Sequence, residues 1–357
     1  FSISINKYNI LLYQITIDNI MTYSIEKLVY HLRGLYAAPI ICELSKKKIF
    51  KFIKNKAIFD KKKLANIKSK KELEACLSYL IRINLLKRLE DDELEFTQMG
   101  AEIFKRANSY YVPHSYRDYI LNLGNIFNNK INIKKLKVDR NENIIGSGLT
   151  HMRYFPTVIS YLAQNNSFHA GVDVGCGNGH FLNLLNDNFQ NLDLYGFDAS
   201  STSVKSAKLI KIKNRNKINI FKADASKVNQ WKKKIKIKGR KSIFFFWFLL
   251  HEISKNKKSI IIDYLKKIKK NFPNSTIVIC ELTKQKDTIL QENCEKSLMP
   301  EYLLFHDFSG QGVLSFPDYK EILKKSGYSL KKEWMFDQSS SNKDTNSEPS
   351  TFVWVLE

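Results

Sequence analysis

The sequence predicts an α/β protein in which a doubly wound, mainly parallel sheet follows a smaller, mainly helical N-terminal domain. From residue 171 onward, short apolar segments alternate with helical patterns, which is typical of a parallel sheet with helices on both faces. Before residue 110, apolar residues recur at three- and four-residue intervals, which predicts helices. A chain of 357 residues is long enough for one large and one smaller domain.

The strands of the predicted sheet lie near 171–175, 192–197, 217–222, 242–248 and 275–281, with helices such as 201–211 and 257–271 between them. A long insert at 284–316 precedes a helix at 317–326. Two final strands, 328–336 and 351–357, flank a polar loop. Because their connection is too short for a crossover, this closing pair must be antiparallel.

The N-terminal part predicts a winged helix. Residues 22–55 show a helical pattern, Ser69 and Glu72 mark the start of a further helix, and a hairpin precedes a helix that opens at Met99. The hairpin carries five carboxylates, on Glu90, Asp91, Asp92, Glu93 and Glu95. Such a wing would repel DNA phosphates, so the sequence favours a dimerisation and substrate-covering role over DNA binding. No fold is predicted for residues 1–20, and Met21 is a candidate start.

Composition sets the expected partners and compartment. The net charge is +23, but lysines are spread along the whole chain and arginine is scarce, so nucleic acid is not the expected partner. Five scattered cysteines without a Cys-x-x-Cys pair fit a reducing, cytoplasmic compartment. No apolar run can cross a bilayer, so no membrane partner is expected.

The predicted domains are 22–110, a helical linker and cavity wall at 111–165, and a third segment at 166–357. In the linker, Gly146, Ser147 and Gly148 form a predicted hinge before an aromatic and basic cluster. Arg153 in this cluster is a candidate clamp for a substrate carboxylate. An ordinary start of an interdomain helix explains the same residues equally well.

A glycine-rich stretch predicts a nucleoside site. Asp173 ends an apolar strand, and Gly175, Gly177 and Gly179 then alternate before a helical pattern. Glycines let the chain turn sharply and let a ligand approach the backbone. Asp198 follows nineteen residues after Gly179, where a carboxylate at the end of the next strand can hold a ribose diol.

These residues resemble the first motif of class I S-adenosylmethionine-dependent methyltransferases, which implies a Rossmann-like, seven-stranded sheet and S-adenosylmethionine as the cofactor. Asp173, Gly175, Gly177 and Gly179 match that motif. Asp198 resembles the family's ribose-binding acid, and Asp224 with Ala225 resembles its adenine-contacting segment. The competing nicotinamide-binding fold would place a glycine where this chain has His180.

A helical winged-helix domain before this fold resembles the small-molecule O-methyltransferases of secondary metabolism. The resemblance implies a small-molecule substrate and a homodimer formed through the N-terminal helices. In that group a histidine after the fourth strand deprotonates the substrate hydroxyl. His251 occupies this position, with Glu252 in place of the usual aspartate, and both are predicted to be catalytic.

His306 and Asp307 repeat the His251–Glu252 pattern and replace the segment usual in O-methyltransferases. This more closely resembles the metal-dependent C-methyltransferases of 2-oxo acids, which hold a metal ion through two histidines. The resemblance implies a divalent or ferric ion on His251 and His306, which would stabilise an enolate, with Asp307 beside the substrate. Glu252 and Asp307 are alternatively third ligands or orienting groups, and His306 is alternatively a plain cavity histidine.

Three functions follow from the sequence. The first is metal-assisted C-methylation at C3 of a 2-oxo acid. The alternative is a metal-independent O-methyltransferase of a hydroxyl or carboxylate, with His251 as the general base. The third, less favoured because of the acidic wing, is a winged-helix DNA-binding regulator.

Overall fold

The computed structural model describes residues 7–53, 56–90, 93–165, 167–237, 239–295, 297–336 and 348–357. The chain divides into two compact units, Phe1–Tyr110 and Tyr111–Glu357. The segment 111–165, which the sequence separates as a linker, is part of the second unit. None of the described helices has both the length and the apolar composition needed to cross a bilayer.

The first unit contains helices and two hairpins. Its elements are α1 (Lys7–Lys46), β1 (Phe50–Ile53), β2 (Lys56–Phe59), α2 (Lys61–Ala65), α3 (Lys70–Arg82), β3 (Leu86–Arg88), β4 (Leu94–Phe96), α4 (Gln98–Lys105) and a short 3₁₀ helix (Ala107–Tyr110). β1 pairs with β2, and β3 pairs with β4, both antiparallel. Asp91 and Asp92 of the predicted hairpin lie outside the described residues.

The helical prediction for residues 22–55 is wrong at its C-terminal end. α1 ends at Lys46, and Phe50 begins a strand instead. The Phe50 ring packs edge-on against Phe96 and Phe104, with centroids 5.5 and 5.0 Å apart, so tertiary packing decides this ambiguous apolar run. Ser69 precedes α3 as predicted, but its side chain makes no capping hydrogen bond.

The second unit begins with five α-helices, and further helices then alternate with the strands of the sheet. Its helices are α5 (Tyr111–Ser115), α6 (Arg117–Leu121), α7 (Leu123–Phe127), α8 (Arg140–His151), α9 (Phe155–Gln164), α10 (His180–Asn188), α11 (Ser201–Ala207), α12 (Val228–Trp231), α13 (Leu250–Ser254), α14 (Lys258–Asn271), α15 (Asp287–Glu292), α16 (Met299–Ser309) and α17 (Phe316–Ser326). Short 3₁₀ helices span Ile133–Lys135 and Lys232–Lys234. The predicted insert at 284–316 thus contains α15 and α16.

The predicted hinge at Gly146, Ser147 and Gly148 is wrong, because these residues lie inside α8. A Cβ on Gly146 would come within 2.9 Å of the Val112 backbone nitrogen. The glycine therefore allows α8 to pack closely against α5 and does not confer flexibility. Asp139 caps α8 by accepting a hydrogen bond from the Glu142 amide at 3.3 Å.

The sheet confirms the predicted fold class. Its strands are β5 (Ala170–Val174), β6 (Asp193–Asp198), β7 (Lys217–Lys222), β8 (Ser242–Trp247), β9 (Ser275–Leu282), β10 (Leu330–Phe336) and β11 (Thr351–Leu356). Their order is β7-β6-β5-β8-β9-β11-β10. β5 to β9 are parallel, and the closing pair is antiparallel as predicted. Most of the polar loop before β11 lies outside the described residues.

Both faces of the sheet are covered by helices, so its central strands are apolar on both sides. All side chains of β8 and β11 are buried. On one face Phe246 packs against Tyr264 of α14, and on the other Phe245 packs against Phe181 of α10. This packing holds the carboxyl ends of β5, β6 and β8 together at one edge of the sheet.

Candidate active site

A cavity of about 900 Å³ lies at the carboxyl ends of the parallel strands. Gly175, Gly177, Asp198, Asp224 and Ala225 line one part of it. Another part is lined by apolar and aromatic side chains, on Ile144, Phe155, Trp247, Phe248 and Leu249. Its volume is within the range of about 300–1,000 Å³ that is usual for ligand sites.

The loop between β5 and α10 turns on three glycines with positive φ, +75° at Gly175, +53° at Gly177 and +82° at Gly179. A Cβ on Gly179 would also lie 2.6 Å from the side chain of Ile210. Backbone angle and close contact therefore both require glycine at this position. Gly175 and Gly177 line the cavity, whereas Gly179, which is also predicted to bind the cofactor, does not.

Asp198 ends β6 and lines the cavity. One carboxylate oxygen accepts a hydrogen bond from the Gly177 amide at 3.1 Å, and the other accepts one from the Ser200 amide at 2.7 Å. Each oxygen retains acceptor capacity, because a carboxylate accepts about four hydrogen bonds in all. Asp198 is thus oriented by the loop and can also accept hydrogen bonds from a ribose diol.

Asp173 lies on β5 and is almost fully buried at the bottom of the cavity. Its Oδ1 atom is buried and has no hydrogen-bond partner among the described residues. Burial, followed by the nearby charge of Asp198, raises the pKa of Asp173 from 3.8 to about 8. A buried acceptor without a partner that faces a ligand cavity fits a cationic ligand such as the amino group of S-adenosylmethionine.

Asp224 and Ala225 follow β7 and line the same cavity. The Asp224 carboxylate accepts hydrogen bonds from the amide and the hydroxyl of Ser226, at 2.9 and 2.7 Å. The Ala225 carbonyl accepts one from the Trp231 indole at 2.9 Å. The predicted adenine segment is therefore held in a fixed turn beside the ribose position.

His251 lies on α13, just after β8, and is buried. Phe248, with a positive φ of +50°, turns the chain sharply out of the strand. The Nδ1 atom of His251 lies 2.8 Å from Oε2 of Glu281, a fully buried carboxylate on β9. The other Glu281 oxygen accepts a hydrogen bond from the Leu250 amide at 2.5 Å.

Glu281 fixes the imidazole, because a carboxylate opposite Nδ1 requires a proton on that nitrogen and leaves Nε2 as the acceptor. Burial alone lowers the pKa of His251, but the charge and hydrogen bond of Glu281 outweigh it, so the pKa is raised above 6.5. His251 itself does not line the cavity, whereas its neighbours Leu249 and Glu252 do.

His251 and His306, the two predicted metal ligands, lie next to each other in the structure. Their ring centroids are 4.9 Å apart, and the rings lie edge to face at 71°. His306, on α16, has Nδ1 2.5 Å from the Tyr302 carbonyl, so this nitrogen donates and Nε2 is an acceptor. Burial, and then the charge of His251, lowers the pKa of His306 to about 4.

These two histidines do not complete a metal site. Within the described ranges, no three or more histidine, cysteine, aspartate or glutamate side chains are arranged to hold an ion. Glu252, one predicted third ligand, instead pairs with Arg140 at 3.5 Å. Asp307, the other, is exposed on α16. Sites with fewer than three protein donors do not match the usual structural or catalytic metal centres.

Arg153 and Asp307 do not line the cavity, contrary to their predicted role in substrate binding. The Arg153 side chain is exposed, with its guanidinium 4.7 Å above the Tyr154 ring. The guanidinium that does line the cavity belongs to Arg140. The aromatic and basic cluster thus contributes to the cavity through His151 and Phe155, and not through its arginine.

Glu281, Arg140 and His151 are site residues that the sequence reasoning missed. His151 lines the cavity and stacks on Phe248, with ring centroids 4.2 Å apart. Burial, and then the charge of His251, lowers the pKa of His151 to about 3. It is therefore a neutral hydrogen-bonding group and a weak base. Glu281 had a sequence signal, since it is a carboxylate at the end of a predicted parallel strand.

Comparison with known proteins agrees with this geometry. Residues 169–327 match the family model of a methyltransferase domain. No curated protein matches the chain. Among solved structures, mitomycin 7-O-methyltransferase MmcR is 12% identical with a TM-score of 0.58, and the alignment covers 95% of this chain and 99% of that one.

Two further structures are similar over nearly the whole chain. An O-methyltransferase family protein from Burkholderia thailandensis is 12% identical with a TM-score of 0.59, covering 93% of this chain and 97% of that one. Human N-acetylserotonin methyltransferase, solved in complex with S-adenosylmethionine, is 12% identical with a TM-score of 0.56, covering 93% and 96%. At such low identity these matches establish the fold. Residues 169–327 are therefore a methyltransferase domain, and the protein is a methyltransferase. The glycine loop, Asp198 and the buried Asp173 fit S-adenosylmethionine as its methyl donor.

Proposed function

We propose that the protein is a small-molecule O-methyltransferase in which His251 removes the proton of the acceptor hydroxyl. The observation that carries this proposal is the buried His251–Glu281 pair, with Nδ1 and Oε2 2.8 Å apart, at the strand ends beside the cofactor cavity. A histidine held in one tautomer, with a raised pKa, is a suitable general base near neutral pH.

In this proposal, the carboxylates of the cavity hold the cofactor, and His251 with Glu281 acts on the acceptor hydroxyl. Asp173, Asp198 and Asp224 would hold the amino group, the ribose and the adenine side of S-adenosylmethionine, with the glycine loop between them. When bound, the cofactor supplies an electrophilic methyl group on a sulfonium. Nε2 of His251 would accept the proton of the acceptor hydroxyl, so that its oxygen could take the methyl group while the bond between that methyl and the sulfonium sulfur breaks. Glu281 stabilises the resulting imidazolium through Nδ1.

The remaining lining supports an aromatic or otherwise apolar acceptor. Phe155, Trp247 and Phe248 face the cavity together with Ile144 and Leu249. Such a surface excludes water and binds an acceptor by its apolar body, while His151 provides one neutral hydrogen-bonding group. Arg140, paired with Glu252 at 3.5 Å, lines the cavity together with Lys255 and Lys267, and these cations can meet an acidic substituent.

The test is methyl transfer from S-adenosylmethionine to a panel of phenols, in the wild type and three variants. We expect His251→Ala to lower kcat by about 10²- to 10⁴-fold, the usual contribution of a general base, with cofactor affinity unchanged. His306→Ala should mainly raise KM. His169→Ala is the matched control, because His169 is exposed and does not line the cavity. Full activity of His251→Ala on every acceptor turned over would refute the proposal.

The second candidate is the metal-assisted C-methylation at C3 of a 2-oxo acid. It is favoured by the 4.9 Å pairing of the His251 and His306 rings, both of which have Nδ1 engaged and Nε2 free to accept. The lack of a third ligand among the described residues weighs against it. Turnover of a 2-oxo acid that depends on stoichiometric metal, and is lost equally in His251→Ala and His306→Ala, would establish this candidate in place of the first.

We also propose that the enzyme works as a homodimer through its N-terminal helix. On α1 the apolar side chains of Ile25, Leu28, Leu32, Leu35 and Tyr36 are each more than half exposed. They repeat every three or four residues, the spacing of a helix face that packs against another helix. A second copy of α1 is the partner that this spacing fits.

A further inference from the structure

The loop between α11 and β7 presents exposed apolar side chains within a strongly basic surface. Leu209 is 80% exposed and Ile212 is 64% exposed. Between Asp198 and Asp224 the chain has no acidic residue, but it has seven basic ones: Lys205, Lys208, Lys211, Lys213, Arg215, Lys217 and Lys222. We call Leu209, Ile212 and these seven residues the basic-apolar loop surface.

The positive charge is concentrated in this region of the chain. Residues 201–241 contain fifteen lysines and arginines and a single acidic residue, so this segment accounts for +14 of the net +23. Within the described part of the chain, Lys213 pairs with Asp187 at 2.8 Å and Lys222 donates to the Ser201 hydroxyl. The described residues place no carboxylate in an ion pair with Lys205, Lys208 or Lys211.

A buried amide network holds the loop in shape. Asn186 donates to the Lys211 carbonyl at 2.8 Å and accepts from the Lys213 amide at 3.0 Å. Asn216 donates to the Phe189 carbonyl at 2.9 Å and accepts from the Leu192 amide at 2.8 Å. Because both asparagines are buried, the backbone of the loop is fixed from inside the fold.

The apolar side chains of this loop point in two directions, one into the fold and two into solvent. Ile210 points inwards and fills the space beside the Cα atom of Gly179. Leu209 and Ile212 point into solvent instead. A fixed loop cannot collapse to bury them, so they remain exposed unless a partner covers them. Their exposure costs free energy that burial against an apolar partner would recover.

We infer that this surface docks the enzyme on an anionic lipid bilayer. Lysines around a few exposed aliphatic side chains are the combination that binds such a membrane: the charges attract the headgroups, and the apolar groups insert between them. This differs from the sequence-based expectation of no membrane partner, which rested on the absence of a spanning segment. Surface docking needs no spanning segment.

Nucleic acid fits the same charge less well. Single-stranded nucleic acid is bound by stacking its bases on aromatic rings, and Phe221, the aromatic residue of β7, already stacks on Phe197 and is covered by Lys234. Leu209 and Ile212 would gain nothing from phosphate contacts. Lysines on an edge strand also prevent edge-to-edge pairing of sheets, but that function does not require two exposed aliphatic side chains.

The test is flotation of the full-length protein with vesicles of two compositions. We expect binding to vesicles of equal parts phosphatidylcholine and phosphatidylserine, weaker binding at high salt, and none to pure phosphatidylcholine. Lys208→Glu with Lys211→Glu should reduce binding by about fivefold or more for each lysine, since one lysine near an anionic surface contributes about a fivefold increase in affinity.

Leu209→Ser with Ile212→Ser separates the two parts of the surface, because it removes the apolar groups and keeps every charge. We expect it to weaken vesicle binding as well. Leu121→Ser with Phe127→Ser is the matched control, since these side chains are 74% and 75% exposed elsewhere. It should leave vesicle binding unchanged.

Three outcomes would overturn the inference. One is no binding of the wild type to anionic vesicles, and another is full vesicle binding by the Leu209→Ser, Ile212→Ser variant. The third is salt-sensitive binding to single-stranded DNA or polyglutamate in the absence of vesicle binding, which would assign the surface to a polyanion. A blue shift of tryptophan emission when Leu209→Trp meets anionic vesicles would confirm insertion at this loop.

Discussion

Cofactor binding should release a proton from Asp173. This carboxyl is buried at the bottom of the cavity, and one of its oxygens has no partner among the described residues. Burial, together with Asp198, raises its pKa from 3.8 to about 8. That difference corresponds to about 6 kcal/mol of preference for the protonated form. At pH 7 a group with this pKa is about 90% protonated in the free enzyme.

The bound cofactor reverses this preference. The ammonium of S-adenosylmethionine or S-adenosylhomocysteine, placed beside Asp173, stabilises the carboxylate and lowers its pKa. Binding at pH 7 should therefore release about 0.9 proton, and binding at pH 9 about 0.1. Below pH 8 the affinity should rise about tenfold for each unit of pH, because protonated Asp173 competes with the ligand cation.

The stability of the free enzyme should have the opposite dependence. The pKa of Asp173 is higher in the folded state than in the unfolded state, so its contribution is fully present below about pH 4 and is lost as the pH rises towards 8. Bound cofactor removes this loss. The thermal shift caused by S-adenosylhomocysteine should therefore increase between pH 6 and pH 8.

Isothermal titration calorimetry with S-adenosylhomocysteine measures the proton directly, because the observed enthalpy depends on the ionisation enthalpy of the buffer. Phosphate and Tris at the same pH give the two points required. Asp173→Asn is the control, since it keeps the shape of the side chain and has no proton to release. Equal enthalpies in both buffers for the wild type, or equal proton release in Asp173→Asn, would refute the reasoning.

Two further predictions concern the base and the assembly. Glu281→Gln removes the charge that raises the pKa of His251 while burial continues to lower it, so the acid limb of the kcat/KM profile should move to lower pH and the maximal rate should fall. The check is to measure kcat/KM against pH for both Glu281→Gln and Glu252→Gln. The acid limb should shift less in Glu252→Gln, and an unchanged acid limb in Glu281→Gln would contradict the prediction. Leu28→Ser with Leu32→Ser should convert a dimer to a monomer in light-scattering chromatography, and a monomeric wild type at micromolar concentration would contradict the proposed dimer.

The alternating part of the fold could be predicted from the sequence because its central strands, β5, β8 and β9, are buried on both faces. Val172, Phe244 and Val278 belong to short apolar runs that alternate with helical patterns, which is typical of central strands, and the structure places such strands within a few residues of the predicted bounds. The β1–β2 hairpin could not be predicted in this way. Its residues alternate too briefly to exclude a helix, and packing of Phe50 against Phe96 settles the conformation.

The glycines of the chain show why a residue type alone does not fix its role. From the sequence, both Gly146 and Gly179 are predicted to lie where the chain bends, Gly146 in a hinge and Gly179 in the turn before a helix. Gly179 has a positive φ and turns the cofactor loop, as predicted. Gly146 lies inside α8 because Val112, more than thirty residues earlier, needs the space of its missing side chain. Contacts between distant residues decide such cases.

The residues of the candidate site also fall into two groups, those placed by a local motif and those placed by contacts between distant parts of the chain. Asp173, Asp198 and Asp224 follow a local motif, so their positions beside the cavity could be predicted. The pairing of His251 with Glu281 depends on β8 and β9 being neighbours, which places Glu281 opposite the imidazole although thirty residues separate them in sequence. Arg140 likewise enters the cavity because α8 packs beside the cofactor loop.

The loop between α11 and β7 links the cofactor site with the proposed membrane surface. Ile210 completes the packing behind Gly179, while its neighbours Leu209 and Ile212 face outwards. Because Asn186 and Asn216 fix the backbone between these side chains, insertion of the outer pair into a bilayer requires no movement of the inner residue. An apolar acceptor that partitions into the bilayer would then be concentrated near the enzyme while the cofactor loop keeps its shape. The apolar lining of the cavity and the basic-apolar surface are thus consistent with one kind of substrate, a lipophilic hydroxyl compound.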